Sequence, residues 1–239
     1  MKPNYKNFVN YAHRGASEYA PENTLLSFYL GLYMEANGIE TDVQLTKDNV
    51  LVLFHDETLT RVTGVDGKLS DYTYNELLSF DVKKNDLTDK IITFEDFLAH
   101  FAHKDLTFAI ELKGEDVEKA TLAMIKKFGV FDRTTFTSFK FDYIKKIKEL
   151  DPSARVGFLT QNTCEEHIEQ LISIGGEEIA PKANEITEEN IALYRSKNLG
   201  VRAWGVQSVE LMKKMCALRV DGMTVNFPDR LFGYLNSNT

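Results

Sequence analysis

The sequence predicts a (β/α)8 TIM barrel with a small insertion after its second strand. Eight short apolar runs bounded by turn signals alternate with helical patterns along nearly the whole chain. Alternation of this kind implies a parallel sheet, and eight units favour closure over an open doubly wound sheet. A single polar stretch, 46–92, interrupts the alternation, and titratable residues gather at the ends of the first strands.

The strand-like runs fall at 8–12, 38–43, 106–112, 134–139, 155–159, 178–181, 201–206 and 222–225. Helical patterns lie between them at 23–36, 93–103, 115–129, 141–150, 164–174, 187–198 and 208–218, with a short one after Pro228. Asn23, Thr93, Thr187 and Ser208 are candidate N-caps, because a short polar side chain accepts from the free N–H groups of a first helical turn. Glu22 lies where a helix dipole favours negative charge. Gly129, Gly175 and Gly200 follow helical runs, where a left-handed cap suits glycine. Asp151-Pro152 stops the helix before the fifth strand. Within 46–92, residues 50–55 read as a further extended run entered by a turn at Lys47-Asp48-Asn49, followed by polar, irregular sequence. The expectation is one catalytic domain, 1–239, with 46–92 as a subdomain at the barrel mouth.

The chain has 239 residues, 43% hydrophobic and 27% charged, an ordinary globular balance. Its net charge of −8 repels nucleic acid and anionic membranes, so neither is expected as a partner. The N-terminal segment lacks the apolar stretch of a signal peptide, and no run reaches the roughly 18 apolar residues of a membrane span. Cys164 and Cys216 have no metal-ligand spacing. Free thiols agree with a reducing, cytoplasmic location. Nothing in the pattern speaks to oligomeric state.

The chemistry-bearing residues sit in four segments: AHRGASEYAPENT at 12–24, GIETDVQ at 38–44, LFHDETLTR at 53–61 and IELKG at 110–114. In a barrel, His13-Arg14-Gly15 lies at the C-terminal rim, where barrel active sites are built. Histidine exchanges protons near neutral pH, and arginine offers a planar fork to phosphate oxygens. Taken alone the tripeptide is equally a solvated loop. Glu40 and Asp42 share one strand face, since side chains alternate with period two. Two inward carboxylates are costly unless paired or metal-bound, so they form either an ion-paired strand end or cation ligands. Glu111 and Lys113 repeat this spacing, as an ion pair or as a third ligand beside a phosphate contact. An oxygen-only donor set selects magnesium or calcium over zinc. His55 is a second proton-transfer candidate, with Asp56 to orient it. His100, His103 and His167 fall in helical patterns and read as surface residues. Trp204 is either core or an apolar wall of the pocket, Phe139 shares that ambiguity, and Lys182 is a candidate anion contact.

In order and spacing these segments resemble the glycerophosphodiester phosphodiesterase family, most strongly over 12–64 and 108–114 and more weakly to about residue 231. The resemblance implies a TIM barrel that cleaves glycerophosphodiesters to glycerol 3-phosphate and an alcohol. It implies His13 and His55 as the acid/base pair and Glu40, Asp42 and Glu111 as ligands of one divalent cation, Mg2+ or Ca2+. Arg14 and Lys113 would contact the phosphate, Trp204 would line the substrate pocket, and Glu22-Asn23 would shape the first loop. A lysophospholipase D-type activity and a non-catalytic glycerophosphodiester-binding barrel are the alternatives. The first would need an apolar channel, and the second would be expected to lack part of the histidine and carboxylate set. Two departures stand out. Trp204-Gly205-Val206-Gln207 replaces the family's Trp-Thr-Val-Asn, and Asn226 stands where aspartate is frequent. Neither is expected to touch the cation site or the histidines.

Overall fold

A computed structural model describes residues 7–237. Eight parallel strands form the barrel: β1 (Val9–His13), β2 (Gly38–Leu45), β6 (Thr107–Leu112), β7 (Thr134–Ser138), β8 (Arg155–Thr160), β9 (Glu178–Pro181), β10 (Gly200–Val206) and β11 (Gly222–Val225). Each pairs with its neighbours in the order β1-β11-β10-β9-β8-β7-β6-β2, and β1 pairs with β2 to close the ring. All eight expected strands are present. The outward residues Ile39, Val43, Phe108, Ile110, Phe136, Val156, Ile179 and Val201 are buried under the helices in the main apolar core. That burial is why these runs alternate so weakly in hydrophobicity: a parallel strand is covered on both faces.

The helices packed outside the barrel are α1 (Leu25–Tyr33), α4 (Phe94–Phe101), α5 (Val117–Lys127), α6 (Phe141–Leu150), α7 (Glu165–Ser173), α8 (Glu188–Ser196), α9 (Val209–Ala217) and α10 (Pro228–Ser237). Thr93, Thr187 and Ser208 cap their helices as expected, each accepting from a backbone N–H of the first turn. Asn23 does not. Thr24 caps α1 through Ser27, while Asn23 takes a left-handed conformation with φ 57°. Gly200 is not a cap either: Asn198 adopts the left-handed turn at φ 59°, and Gly200 opens β10. No helix among the described residues is long and apolar enough to cross a membrane.

Between β2 and β6 the chain leaves the barrel alternation. β3 (Leu51–Leu53) pairs antiparallel to β2 at its mouth end, Val43 opposite Leu53. Then come the short helices α2 (Thr60–Thr63) and α3 (Tyr74–Leu77) and a hairpin of β4 (Asp81–Lys84) and β5 (Leu87–Lys90). The segment is less irregular than its composition suggests. Val52, Phe54, Leu59, Val62, Leu69, Leu77, Val82 and Ile91 form an apolar cluster of their own, apart from the main core. These residues are spread thinly among charged ones, so no periodic stripe marks them.

Candidate active site

Strand register assembles the site. His13 lies beside Glu40 across the β1–β2 pair, and Asp42 beside Glu111 across β2–β6. With alternate residues turned inward, these four side chains meet at the C-terminal end of the barrel. Oxygen atoms of Glu40, Asp42 and Glu111 all lie within 4.8 Å of one another. The three carboxylates are buried, at 3%, 0% and 6% exposure.

Fixed cations surround the cluster. Arg14 Nε is 3.3 Å from Asp42, and Lys113 Nζ is 2.9 Å from Glu111 and 3.9 Å from Asp42. Burial works against ionisation of Asp42, but Arg14, His55 and Lys113 outweigh it and hold the carboxyl below its usual range. Burial, with Asp42 and Glu111 beside it, pushes Glu40 well up. Burial and Asp42 likewise raise Glu111 to about 7. Glu40 Oε2 and Asp42 Oδ1 are buried and accept no hydrogen bond. A compact set of hard oxygen donors that resist sharing negative charge, with free lone pairs, fits a divalent cation of the magnesium or calcium type.

Each histidine lies beside this cluster, His13 next to Glu40 and His55 next to Lys113. His13 Nδ1 lies 2.5 Å from Asn226 Oδ1; with a carbonyl oxygen accepting, Nδ1 carries the proton and Nε2 faces Glu40 at 3.8 Å. Burial first, then Arg14, lowers His13 to about 3, so its imidazole is neutral in this setting. His55 Nδ1 donates to Asp56 at 2.5 Å, which leaves Nε2 to accept from Lys113 Nζ at 2.9 Å. Burial lowers its pKa as well.

The first βα loop is held by backbone that few residues tolerate. Arg14 has φ 54° and Gly15 φ 84°. A Cβ on Gly15 would lie 2.4 Å from Ser27 Oγ and its backbone carbon, so only glycine lets the loop close on α1. Glu22 is not in the first turn of α1. It binds Arg14 at 2.9 Å and Arg61 at 2.7 Å, and Arg61 also reaches Asp56 at 2.5 Å. One chain of charges thus links the first loop to Asp56, the hydrogen-bond partner of His55. Asn23 donates to Asp42 Oδ2 at 2.9 Å and accepts from Thr41 at 2.8 Å, fixing the central carboxylate.

One cavity opens on the carboxylates, and a second lies on the far side of Lys113, which pairs with Glu111. One, about 170 Å³, is bounded by His13, Glu40, Glu111, Trp204, Gln207 and Asn226. The other, about 590 Å³, is bounded by His55, Lys113, Glu57, Asn49, Lys140 and Tyr143. Trp204 is half-buried, donates to the Thr160 carbonyl at 3.2 Å and packs edge-to-face on Phe139 at 5.0 Å. Lys182 lies over the Trp204 ring at 5.9 Å, on the rim. His100 and His167 are half-buried and His103 exposed, all away from this centre.

The glycerophosphoryl diester phosphodiesterase family model matches residues 13–230. The chain belongs to this family. It is 32% identical over 232 residues to the glycerophosphodiester phosphodiesterase of Bacillus altitudinis, covering 92% of this chain and 95% of that one. It is 34% identical over 240 residues to an uncharacterised protein of Bacillus subtilis, covering 95% and 98%. The glycerophosphodiester phosphodiesterase of Thermotoga maritima superposes with a TM-score of 0.79 at 28% identity, over 95% of this chain and 98% of that one. An Oleispira antarctica phosphodiesterase in complex with the product sn-glycerol-3-phosphate shares the fold, with a TM-score of 0.87 at 23% identity over 95% and 96% of the chains.

Within this phosphodiesterase family the chain's departure at Asn226 is not remote from the histidines, contrary to the sequence expectation. Asn226 follows β11, and the β1–β11 register carries its amide onto His13. Gln207 borders the same cavity. Arg61 has no sequence signal that singles it out. Arg202 does have one, since it lies two residues before Trp204 and shares its strand face; it is fully buried inside the barrel.

Proposed function

We propose that this phosphodiesterase hydrolyses a glycerophosphodiester to glycerol 3-phosphate and a small polar alcohol, with a divalent cation at Glu40, Asp42 and Glu111 and proton transfer by His13 and His55. The observation that carries the reading is the convergence of three buried carboxylates with two cations, His13 beside Glu40 and His55 beside Lys113. A bound cation would supply Lewis-acid polarisation of the phosphate. Arg14 and Lys113 would hold its non-bridging oxygens and offset charge that builds during cleavage.

A diester seated there has one ester arm in each cavity. The compact one, walled by Trp204, suits the glycerol phosphate; the wider one suits the departing alcohol. One histidine then faces each side of phosphorus, as removal of a proton from the nucleophile and delivery of one to the leaving oxygen require. His13 presents a neutral Nε2, ready to accept. His55 presents Nε2 beside Lys113, whose ammonium would stabilise the alkoxide. The wider cavity is lined mainly by polar side chains, which favours a hydrophilic alcohol over an acyl-bearing one. The free thiols, Cys164 exposed and Cys216 buried, support a cytoplasmic site of action.

The test is release of glycerol 3-phosphate from glycerophosphocholine, read with a coupled dehydrogenase, with Mg2+ or Ca2+ and then with chelator. Release that chelation abolishes is the expected result. Release that persists in chelator would refute the cation site, and cleavage of dispersed lysolipid in preference to glycerophosphocholine would refute the substrate class.

A further inference from the structure

The barrel interior below the carboxylates is charged. Tyr11 on β1, Glu178 on β9, Arg202 on β10 and Thr224 on β11 form one connected layer. Arg202 is 1% exposed, and its Nε donates to Glu178 at 2.9 Å and its Nη1 to Thr224 Oγ1 at 2.9 Å. The Tyr11 ring lies 5.4 Å from the guanidinium. The backbone leaves room for that ring: a Cβ on Gly38 would come within 2.7 Å of it. Layers inside a (β/α)8 barrel are ordinarily filled by branched apolar side chains. A buried ion pair there stabilises less than an apolar filling of equal volume. Stability alone therefore gives no reason for this layer.

Its unused donor suggests the reason. Arg202 Nη2 is buried with no hydrogen-bond partner, and so is Glu40 Oε2 as an acceptor. Arg202 and Glu40 border the same cavity of about 170 Å³. The charges around the cluster tell the same story. Asp42 has Arg14 at 3.3 Å and Glu111 has Lys113 at 2.9 Å, the two cations also proposed to contact the substrate phosphate. Within ion-pairing distance Glu40 has, among the described residues, only the imidazole of His13 at 3.8 Å, while Arg14 and Arg202 act on it from further off. Arg202, tied to Glu178 and Thr224, stays in place when substrate arrives.

We propose that Arg202 is a positioning residue of the cation site: its Nη2 fixes the Glu40 carboxylate from inside the barrel through one bridging water, so that Glu40, Asp42 and Glu111 face one divalent cation together. The inference rests on the cation-site reading above. Partners behind a ligand orient it and commonly set 10–100-fold in metal affinity or activity.

The experiment removes the buried pair as a unit, Arg202→Met with Glu178→Leu, so that no lone carboxylate remains in the barrel. Magnesium and calcium binding are measured by calorimetry, and thermal unfolding is followed without metal. The expected double variant melts at or above the wild-type temperature, binds either cation about 10–100-fold more weakly, and regains most of its kcat at saturating cation. Arg202→Lys, which keeps a charge but loses the planar fork, should also weaken cation binding, by less, and serves if the double variant does not fold. Wild-type affinity in the folded variants would overturn the role of Arg202 and leave the cation site standing. A wild type that binds neither cation would overturn both.

Discussion

Asn226→Asp tests the assignment of His13 most directly. The substitution is nearly isosteric and puts a carboxylate where the amide oxygen now lies, 2.5 Å from His13 Nδ1. His13 is held at about 3 by burial and by Arg14, with the Asn226 hydrogen bond opposing them. An opposite charge this close shifts a titrating group by about 1–3 units, and each unit is about 1.4 kcal/mol between the two protonation states. The direction is upward, since the imidazolium gains a partner. The assay is kcat/KM for glycerophosphocholine against pH at saturating cation. If His13 works as a base, the acid limb moves to higher pH by about 1–3 units, because the proton must now leave a tighter site. If it works as an acid, the alkaline limb moves up instead. The limb that moves thereby assigns the role. Both limbs staying at their wild-type positions in an otherwise active variant would refute His13 as a proton-transfer group.

Other consequences are as direct. His13→Ala and His55→Ala should each lower kcat by about 10²–10⁴-fold, measured by glycerol 3-phosphate release; near-normal turnover in both would remove the histidine mechanism. Cation affinity should fall as pH drops below about 7, because a proton on Glu111 competes for the ligand oxygen; calorimetry at pH 8 and pH 6 reads this, and equal affinities would contradict it. The same group has the opposite effect on the metal-free fold. With its native pKa raised from 4.5 to about 7, the folded state holds more protons across that window, so metal-free stability from Glu111 declines as pH rises through it; a flat melting profile from pH 5 to 7 would argue against the raised value. Gly15→Ala forces a Cβ into Ser27 at positive φ and should cost at least the roughly 1–2 kcal/mol of a left-handed residue, visible as a lower urea midpoint.

The barrel was legible because each of its signals is local. A covered parallel strand is a short apolar run, and a polar residue caps the helix that follows it. The carboxylates were legible for the same reason: spacing of two on a strand puts Glu40 with Asp42, and Glu111 with Lys113, before any strand is paired. Asn23 and Gly200 misled because a cap and a left-handed turn have the same composition. Asn23 was taken from its helix by a longer-range demand, the hydrogen bond to Asp42. The core of the 46–92 segment was hidden because its apolar residues are scattered among charges and meet only when the short helices and the hairpin fold over β3.

Residue type and chain spacing alone thus determined the eight βα units, the inward faces of the first strands and the chemical kind of each site residue. Tertiary structure decided which of them meet. Register across β1–β2 and β2–β6 brought the carboxylate oxygens within 4.8 Å of one another, and β1–β11 register turned Asn226 onto His13. Closure of the ring brought Arg202 and Glu40 to the same cavity. These are contacts between segments dozens to hundreds of residues apart, fixed by hydrogen-bond register and barrel closure, and no local pattern encodes them.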